Sequence, residues 1–181
     1  MLFRSMLLLT VVRASRHLLI PLWGEYIGLT AQEIGFVVGA AAAVDMCMFP
    51  LAGYVMDNHG RRPVAVSCLS LLSVGMLAIP FSSSALTLGI AAMVAGLGNG
   101  LGSGINMTLG TDLSPTANRG EFLGVWRLIG DTGSLGGPLA LGAVIELMTL
   151  SAAFVAVGVA GFLGVTIILT LVRETRLHPR S

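Results

Sequence analysis

Gly53-Tyr54-Val55-Met56-Asp57-Asn58-His59-Gly60-Arg61-Arg62-Pro63 is a short charged turn between two long apolar runs. The whole chain has the same bias, because 55% of its 181 residues are hydrophobic and only 10% are charged. Its mean hydropathy is +0.89. These values lie far outside the range of soluble domains. The sequence therefore predicts a membrane protein whose charged turn is a tight intracellular loop.

Apolar runs recur along the chain at the length that matches a hydrocarbon core of about 30 Å, or roughly 20 helical residues. Six such runs lie near Met6–Ile27, Ala31–Val55, Val64–Ser82, Leu86–Gly110, Glu121–Ile145 and Ser151–Val172. A lipid-exposed backbone must satisfy its own N–H and C=O groups, whereas a barrel would need alternating strands of about ten residues. We therefore predict an all-α integral membrane protein, with six transmembrane helices in a single domain over residues 1–181.

Orientation is predicted from the ten positive charges, all of which are arginines because the chain has no lysine. Positive charges concentrate in cytoplasmic connections. The arginines outside the apolar runs fall before the first run and on alternate connections after it: Arg4; Arg61 and Arg62; Arg119; and Arg173, Arg176 and Arg180. Both termini are therefore predicted to be cytoplasmic, with residues 173–181 forming a short tail. The expected location is the plasma membrane, with no nucleic-acid partner.

The connections are short, and no domain or low-complexity segment interrupts the runs. Each set of three runs opens with two helices of which the second contains a proline, Pro50 in one case and Pro138 in the other. We expect a bundle of three helices plus three, arranged as an inverted repeat. Leu2-Phe3-Arg4-Ser5 matches what a common sequencing adapter would encode, so we also expect the native chain to have been cut upstream of about Met6.

The charged turn carries a family resemblance. Gly53-x3-Asp57-x2-Gly60-Arg61-Arg62 resembles the loop motif of the major facilitator superfamily, which lies between two transmembrane helices on the cytoplasmic side. Asn58 departs from the arginine usual in the motif and is more typical of its second copy. The resemblance implies a loop that latches one conformation of a transporter. The alternative is a positive-inside turn with no special role.

The fifth run carries a second resemblance, to the glycine-proline motif of antiporters in this superfamily. The matching residues are Gly133, Gly137, Pro138 and Gly142, with Leu141 in place of one glycine. Glycines at four-residue spacing let helices approach closely, and a proline bends a helix. Ordinary close packing is the alternative. The stretch from Asp112 to Asp131 is similar to the tenth and eleventh helices of the family, which implies the C-terminal six-helix half of a twelve-helix protein.

Charged residues inside the apolar runs are candidate functional groups, since each costs about 2.5–3.5 kcal/mol at a helix centre even on the lenient insertion scale. At about 1.5 Å per residue, three of them lie roughly 15 Å from the cytoplasmic ends. We expect these groups to face the bundle interior or a water-filled cavity. The substrate or ion-coupling candidates are Arg13, Arg16, Asp45, Asp131, Asn99 and Asn106. The alternative is a set of static ion pairs that hold the helices in register.

The resemblance implies secondary transport of a small solute by alternating access, and the antiporter motif favours proton-coupled efflux. Uptake of a sugar or an organic anion by the same fold is the alternative within this class. A non-transporting fragment or scaffold subunit is a second alternative. An enzyme is not expected because no catalytic constellation is found, and neither a metal site nor a cofactor is expected. The expected partners are the bilayer, a small solute, and either a missing N-terminal six-helix half or a second half-size subunit.

Overall fold

The structure is a computed structural model that describes residues 2–102, 104, 105, 108, 110, 111, 114, 118–147 and 149–171. Its described part contains six long α-helices. They are α1 (Leu2–Tyr26), α2 (Ala31–His59), α3 (Arg61–Ala78), α4 (Ala85–Leu101), α5 (Arg119–Leu147) and α6 (Leu150–Leu171). A 3-10 turn over Ile79–Phe81 follows α3. The predicted tail over residues 173–181 lies outside the described residues.

The predicted loop after the second run is almost absent. α2 was expected to end at Val55 but continues to His59, and α3 begins at Arg61. Gly60 alone joins the two helices, with φ at +93°, a conformation that favours glycine. The end of the apolar run marks where the chain leaves the hydrocarbon core. The helix itself continues into the polar interface, so hydropathy predicted the end of α2 too early.

Two other helices are shorter than predicted. α3 was expected to reach Ser82, but Pro80 lacks the N–H that would continue the helix, and the chain forms a 3-10 turn instead. α4 was expected to reach Gly110 but ends at Leu101, in a stretch where every second residue from Gly96 to Gly104 is glycine. The described residues that follow this turn, Ile105, Thr108, Gly110 and Thr111, are helical again. Glycine is about 0.8–1.0 kcal/mol less favourable than alanine inside a helix, which explains an end at this point.

α4 is the centre of the packing. It lies against α2 on one side and against α3 on the other, while α3 also packs on α6 and α1 packs on α5 and α6. Small residues make the close approach possible: a Cβ placed on Gly96 would lie 2.6 Å from the carbonyl oxygen of Ala41 in α2. The core therefore forms between α1, α3, α4 and α6, with α2 and α5 more exposed.

Four helices of the described chain are long and apolar enough to cross a membrane. These spans are Ala31–Asn58, Arg62–Phe81, Arg119–Leu147 and Leu150–Thr170. α4 is apolar but shorter. The prediction of an all-helical protein with several apolar helices is confirmed. The six transmembrane spans, the inverted repeat and the cytoplasmic termini stay predictions.

Candidate functional site

Four of the candidate side chains form one hydrogen-bonded group between α1, α2 and α4. Arg16 Nη2 donates to Asp45 Oδ2 over 2.6 Å, and Asn99 Nδ2 donates to the same oxygen over 2.6 Å. Arg13 Nε donates to Asn99 Oδ1 over 2.7 Å, and its Nη1 donates to the carbonyl oxygen of Gly102 over 2.9 Å. We call Arg13, Arg16, Asp45 and Asn99 the polar cluster. It connects three helices through charge-assisted hydrogen bonds.

Each helix places its member of the polar cluster by its periodicity. The three-residue separation of Arg13 and Arg16 puts both on one side of α1. Asp45 continues a buried stripe of α2 that also contains Val37 and Ala41, at steps of four residues. Asn99 continues the buried stripe of α4, which has the members Leu88, Ala92 and Ala95. The stripes of α2 and α4 face each other, which brings the carboxylate and the amide together.

The Arg16–Asp45 ion pair is deeply buried, with side chains 5% and 11% exposed. Arg16 Nε and Nη1 and Asp45 Oδ1 are also buried and have no hydrogen-bond partner in the structure. A charge in a low-dielectric interior is tolerated only when paired, and removal of one partner is far more costly than removal of both. Asp45 is therefore both the counter-ion of Arg16 and the acceptor for Asn99.

An open cleft of about 430 Å³ lies beside the polar cluster, between α1, α4 and α5. Its lining residues are Thr10, Arg13, Ala14, His17, Asn99, Ser134 and Pro138. A second and smaller pocket of about 40 Å³ lies between α1 and α2, where Arg16 and His17 contribute to its wall. Two members of the polar cluster thus reach the large cleft, while Arg16 lines the small pocket.

Asp131 does not join the polar cluster. Its carboxylate lies on the exposed side of α5, with 67% of the side chain accessible, and its Oδ2 is 3.9 Å from Arg127 Nε. Counting residues along the helices predicted that Asp131 lies at the same depth as Asp45. Depth, however, does not determine which face of the helix carries a residue. Asn106 lies outside the described residues.

The residues of the loop motif lie mostly in the ends of two helices. Gly53 and Asp57 lie within α2, and the side chain of Asp57 is exposed. Gly60 is the single linking residue, and Arg61 is the first residue of α3. Arg62 Nη2 donates to the carbonyl oxygen of Leu169 near the end of α6. This arginine therefore caps carbonyl groups at a helix C-terminus, where a positive charge is favourable.

The glycine-proline motif of α5 packs against α1. Gly133 and Gly137 are buried, and a Cβ on Gly137 would lie 3.3 Å from the Cα of Val11. Pro138 lines the large cleft, whereas Gly142 is exposed. The motif thus brings α5 close to α1 at the level of the cleft.

Sequence reasoning missed four groups at the site: Thr10, His17, Ser134 and the Gly102 carbonyl. Thr10 lies three residues before Arg13, His17 lies four after Arg13, and Ser134 lies four before Pro138, so helical spacing from the chosen residues would have found all three side chains. The Gly102 carbonyl carried no such signal, because its exposure depends on where α4 ends.

Comparison with known proteins identifies the family. A model of the Major Facilitator Superfamily matches residues 5–181. The chain belongs to this superfamily. The family and the apolar helices together make it a multi-pass membrane protein, as the sequence predicted.

Its relatives include transporters of several kinds. The chain is 30% identical over 104 residues to the arabinose-proton symporter of Bacillus subtilis, covering 58% of this chain and 20% of the symporter. It is 24% identical over 164 residues to the quinolone resistance protein NorA of Staphylococcus aureus, covering 90% of this chain and 42% of NorA. The chain spans less than half the length of both relatives.

A solved structure has the same fold. The inward-open xylose transporter XylE from E. coli superposes with a TM-score of 0.72 at 16% identity, over 96% of this chain and 48% of XylE. The chain thus corresponds in length to about half of that transporter.

Proposed function

We propose that this chain supplies one six-helix half of a secondary transporter that moves a small solute across the plasma membrane by alternating access, with proton-coupled efflux as its activity. The observation that carries the proposal is the polar cluster, which lies beside an open cleft. Buried ionisable groups inside a membrane bundle are costly and typically line substrate or proton pathways.

Asp45 is the proposed coupling group. Its Oδ2 accepts hydrogen bonds from Arg16 of α1 and Asn99 of α4, so its charge connects two helices to α2. Protonation of this carboxylate would remove the attraction to Arg16 and weaken both bonds. A proton arriving at Asp45 would therefore loosen the contact of α1 with α2 and α4 beside the cleft, which is the kind of change that a coupled transporter needs.

The proposed partner is a second six-helix half. α2 and α5 are exposed along most of their length, including the large side chains Phe36, Met46, Leu135 and Leu139. The cleft is open, and the chain covers 48% of XylE. A second half packed on the exposed faces of α2 and α5 would close the cleft into a cavity between two halves.

The test is solute flux through the complete transporter, this chain together with its second half, in proteoliposomes under an imposed pH gradient. A quinolone is the first probe, because NorA is named for quinolone resistance. We expect accumulation driven by the gradient, and we expect Asp45→Asn to abolish it while solute exchange at equal pH continues. Glu146→Gln, an exposed change on α5, is the matched control. Full gradient-driven flux in Asp45→Asn would disprove the coupling role.

Sugar uptake is the second candidate. It is favoured by the relation to the arabinose-proton symporter, at 30% identity over 104 residues. Labelled arabinose in the same proteoliposomes distinguishes sugar uptake from proton-coupled efflux. A symporter moves its solute in the same direction as the protons, whereas an antiporter moves its solute in the opposite direction.

A further inference from the structure

We propose that the large cleft binds an anionic solute, with a carboxylate or a similar monoanionic group held at the guanidinium of Arg13. The inference rests on the proposed transport function and names the class of solute. It depends on three properties of the site: the balance of charge in the polar cluster, the partners of Arg13, and the lining of the cleft.

The polar cluster contains more positive than negative charge. Arg13 and Arg16 each carry a positive charge, and Asp45 is the cluster's one carboxylate. The Asp45 carboxylate is bound to Arg16, and its Oδ2 already accepts a second bond from Asn99. Among the residues that the structure describes, Arg13 makes no salt bridge. Within the described part of the chain, the charge of Arg13 therefore has no carboxylate at salt-bridge distance.

Arg13 is fixed in place by neutral groups. Its two acceptors are the side-chain oxygen of Asn99 and the backbone oxygen of Gly102, at 2.7 and 2.9 Å. These contacts use the N–H of Nε and one of the two N–H groups of Nη1, and they orient the guanidinium without neutralising it. A positioned cation, with no carboxylate partner among the described residues, lines the cleft directly. Guanidinium groups bind carboxylates through two parallel hydrogen bonds, so the remaining donors are suited to an anion.

A second positive group lies close behind the first. Arg16 has two buried nitrogen atoms, Nε and Nη1, with no hydrogen-bond partner, and it lines the small pocket next to the cleft. His17 lines both the cleft and this pocket. The field of Arg16 is partly balanced by Asp45, whereas none of the described residues that line the two spaces is acidic. An anion in the cleft thus meets positive potential and no carboxylate on the described walls.

The rest of the lining suits a small organic anion. Thr10 and Ser134 supply hydroxyl groups, and Ala14 and Pro138 supply apolar surface. The volume of about 430 Å³ falls within the range of small-molecule sites, which is roughly 300–1,000 Å³. A cationic solute would face Arg13 with no acidic residue on the described wall of the cleft, and a neutral solute would leave the charge of Arg13 unpaired.

The test is a binding measurement on the purified 181-residue chain in lipid nanodiscs, with three probes that share one ring and differ in charge. They are benzoate, benzamide and benzylammonium, and ligand-observed NMR titration gives the dissociation constants. We expect benzoate to bind at least about tenfold more tightly than either other probe, since a hydrogen bond to a charged group is worth about a factor of ten or more. This comparison needs no variant.

Variants then assign the binding to Arg13. We expect Arg13→Gln to weaken benzoate binding about tenfold to a hundredfold, and Arg13→Lys to retain part of the affinity. Arg127→Gln removes an exposed arginine of α5 away from the cleft and should leave binding unchanged. Thermal unfolding of each variant shows whether the variant is folded. If a variant is not folded, the preference of the unaltered chain for benzoate over benzamide and benzylammonium tests the proposal.

Three results would overturn the proposal: no binding of benzoate, equal or tighter binding of benzamide or benzylammonium, or benzoate binding that survives Arg13→Gln in folded protein. The assay contains neither a pH gradient nor flux. A chain that transports a neutral or cationic solute would therefore fail this test and still pass the proteoliposome test of transport.

Discussion

Asp45 and Asp131 have equivalent positions in the sequence and very different positions in the structure. Asp45 lies ten residues before the predicted cytoplasmic end of its apolar run at Val55, and Asp131 lies ten residues after the predicted cytoplasmic end of its run at Glu121. At about 1.5 Å per residue, both are predicted to lie roughly 15 Å deep. Asp45 is buried and lies 2.6 Å from Arg16, while Asp131 is largely exposed and lies 3.9 Å from Arg127. Equal depth therefore does not mean equal environment.

The difference comes from the face that each helix buries. On α5 the buried residues Gly130, Gly133, Gly137 and Leu141 repeat at helical spacing, and Asp131 lies one position off this stripe. On α2 the carboxylate is a member of the buried stripe itself. One step along a helix rotates a side chain by about 100°, which is enough to move it from the interior to the surface.

The largest expected effect comes from breaking the buried pair. Asp45→Ala leaves the Arg16 guanidinium buried without a counter-ion, which we expect to lower the free energy of unfolding by about 3–5 kcal/mol. The measurement is unfolding in mixed micelles with increasing denaturing detergent. The double variant Arg16→Met with Asp45→Leu removes both charges and should recover most of the loss. A double variant as unstable as Asp45→Ala would show that the ion pair is not the source of the effect.

A smaller effect is expected at Asn99, which joins Arg13 to Asp45. Asn99→Leu keeps similar volume but removes the acceptor for Arg13 Nε and a donor to Asp45 Oδ2. Hydrogen bonds to charged groups contribute about 1.5–3 kcal/mol, so we expect a loss in that range by the same unfolding measurement. Thr166→Val is the control, since Thr166 is exposed and its hydroxyl donates to the carbonyl oxygen of Leu163 in the same helix. Equal stability of the two variants would mean that Asn99 contributes little to the polar cluster.

The polar cluster was largely predictable because its members are costly in a membrane. Arg13, Arg16 and Asp45 interrupt apolar helices, and such residues must find polar surroundings. Their partners were harder to assign. α2 is apolar on every side, so hydropathy shows no stripe that would indicate its buried face. That face is set by close contact of small residues such as Ala41 and Gly96, which is a property of two helices together.

Helix ends were predicted less well than helix identity. Because α4 ends at Leu101, the carbonyl oxygen of Gly102 accepts bonds from the Ile105 N–H and from Arg13, 89 residues earlier in the chain. A Cβ at Gly102 would overlap the sulfur of Cys68 in α3, so a neighbouring helix also requires glycine there. Neither contact has a local signature in the sequence. The site depends on both, because this helix end positions Arg13 beside the cleft.

The smallest expected effect is at the exposed pair of α5. Asp131→Asn removes one partner of an ion pair whose side chains are 79% and 67% exposed. Solvent-exposed pairs contribute roughly 0–1 kcal/mol, so the unfolding of this chain should barely change. A loss as large as that of Asp45→Ala would show that α5 buries Asp131 in the lipid-embedded protein.

Repeating the measurement on the proposed complete transporter sharpens the comparison further. If the second half covers α5, Asp131→Asn should lower the free energy of unfolding more there than in this chain alone, because the same charge would then be paired away from solvent.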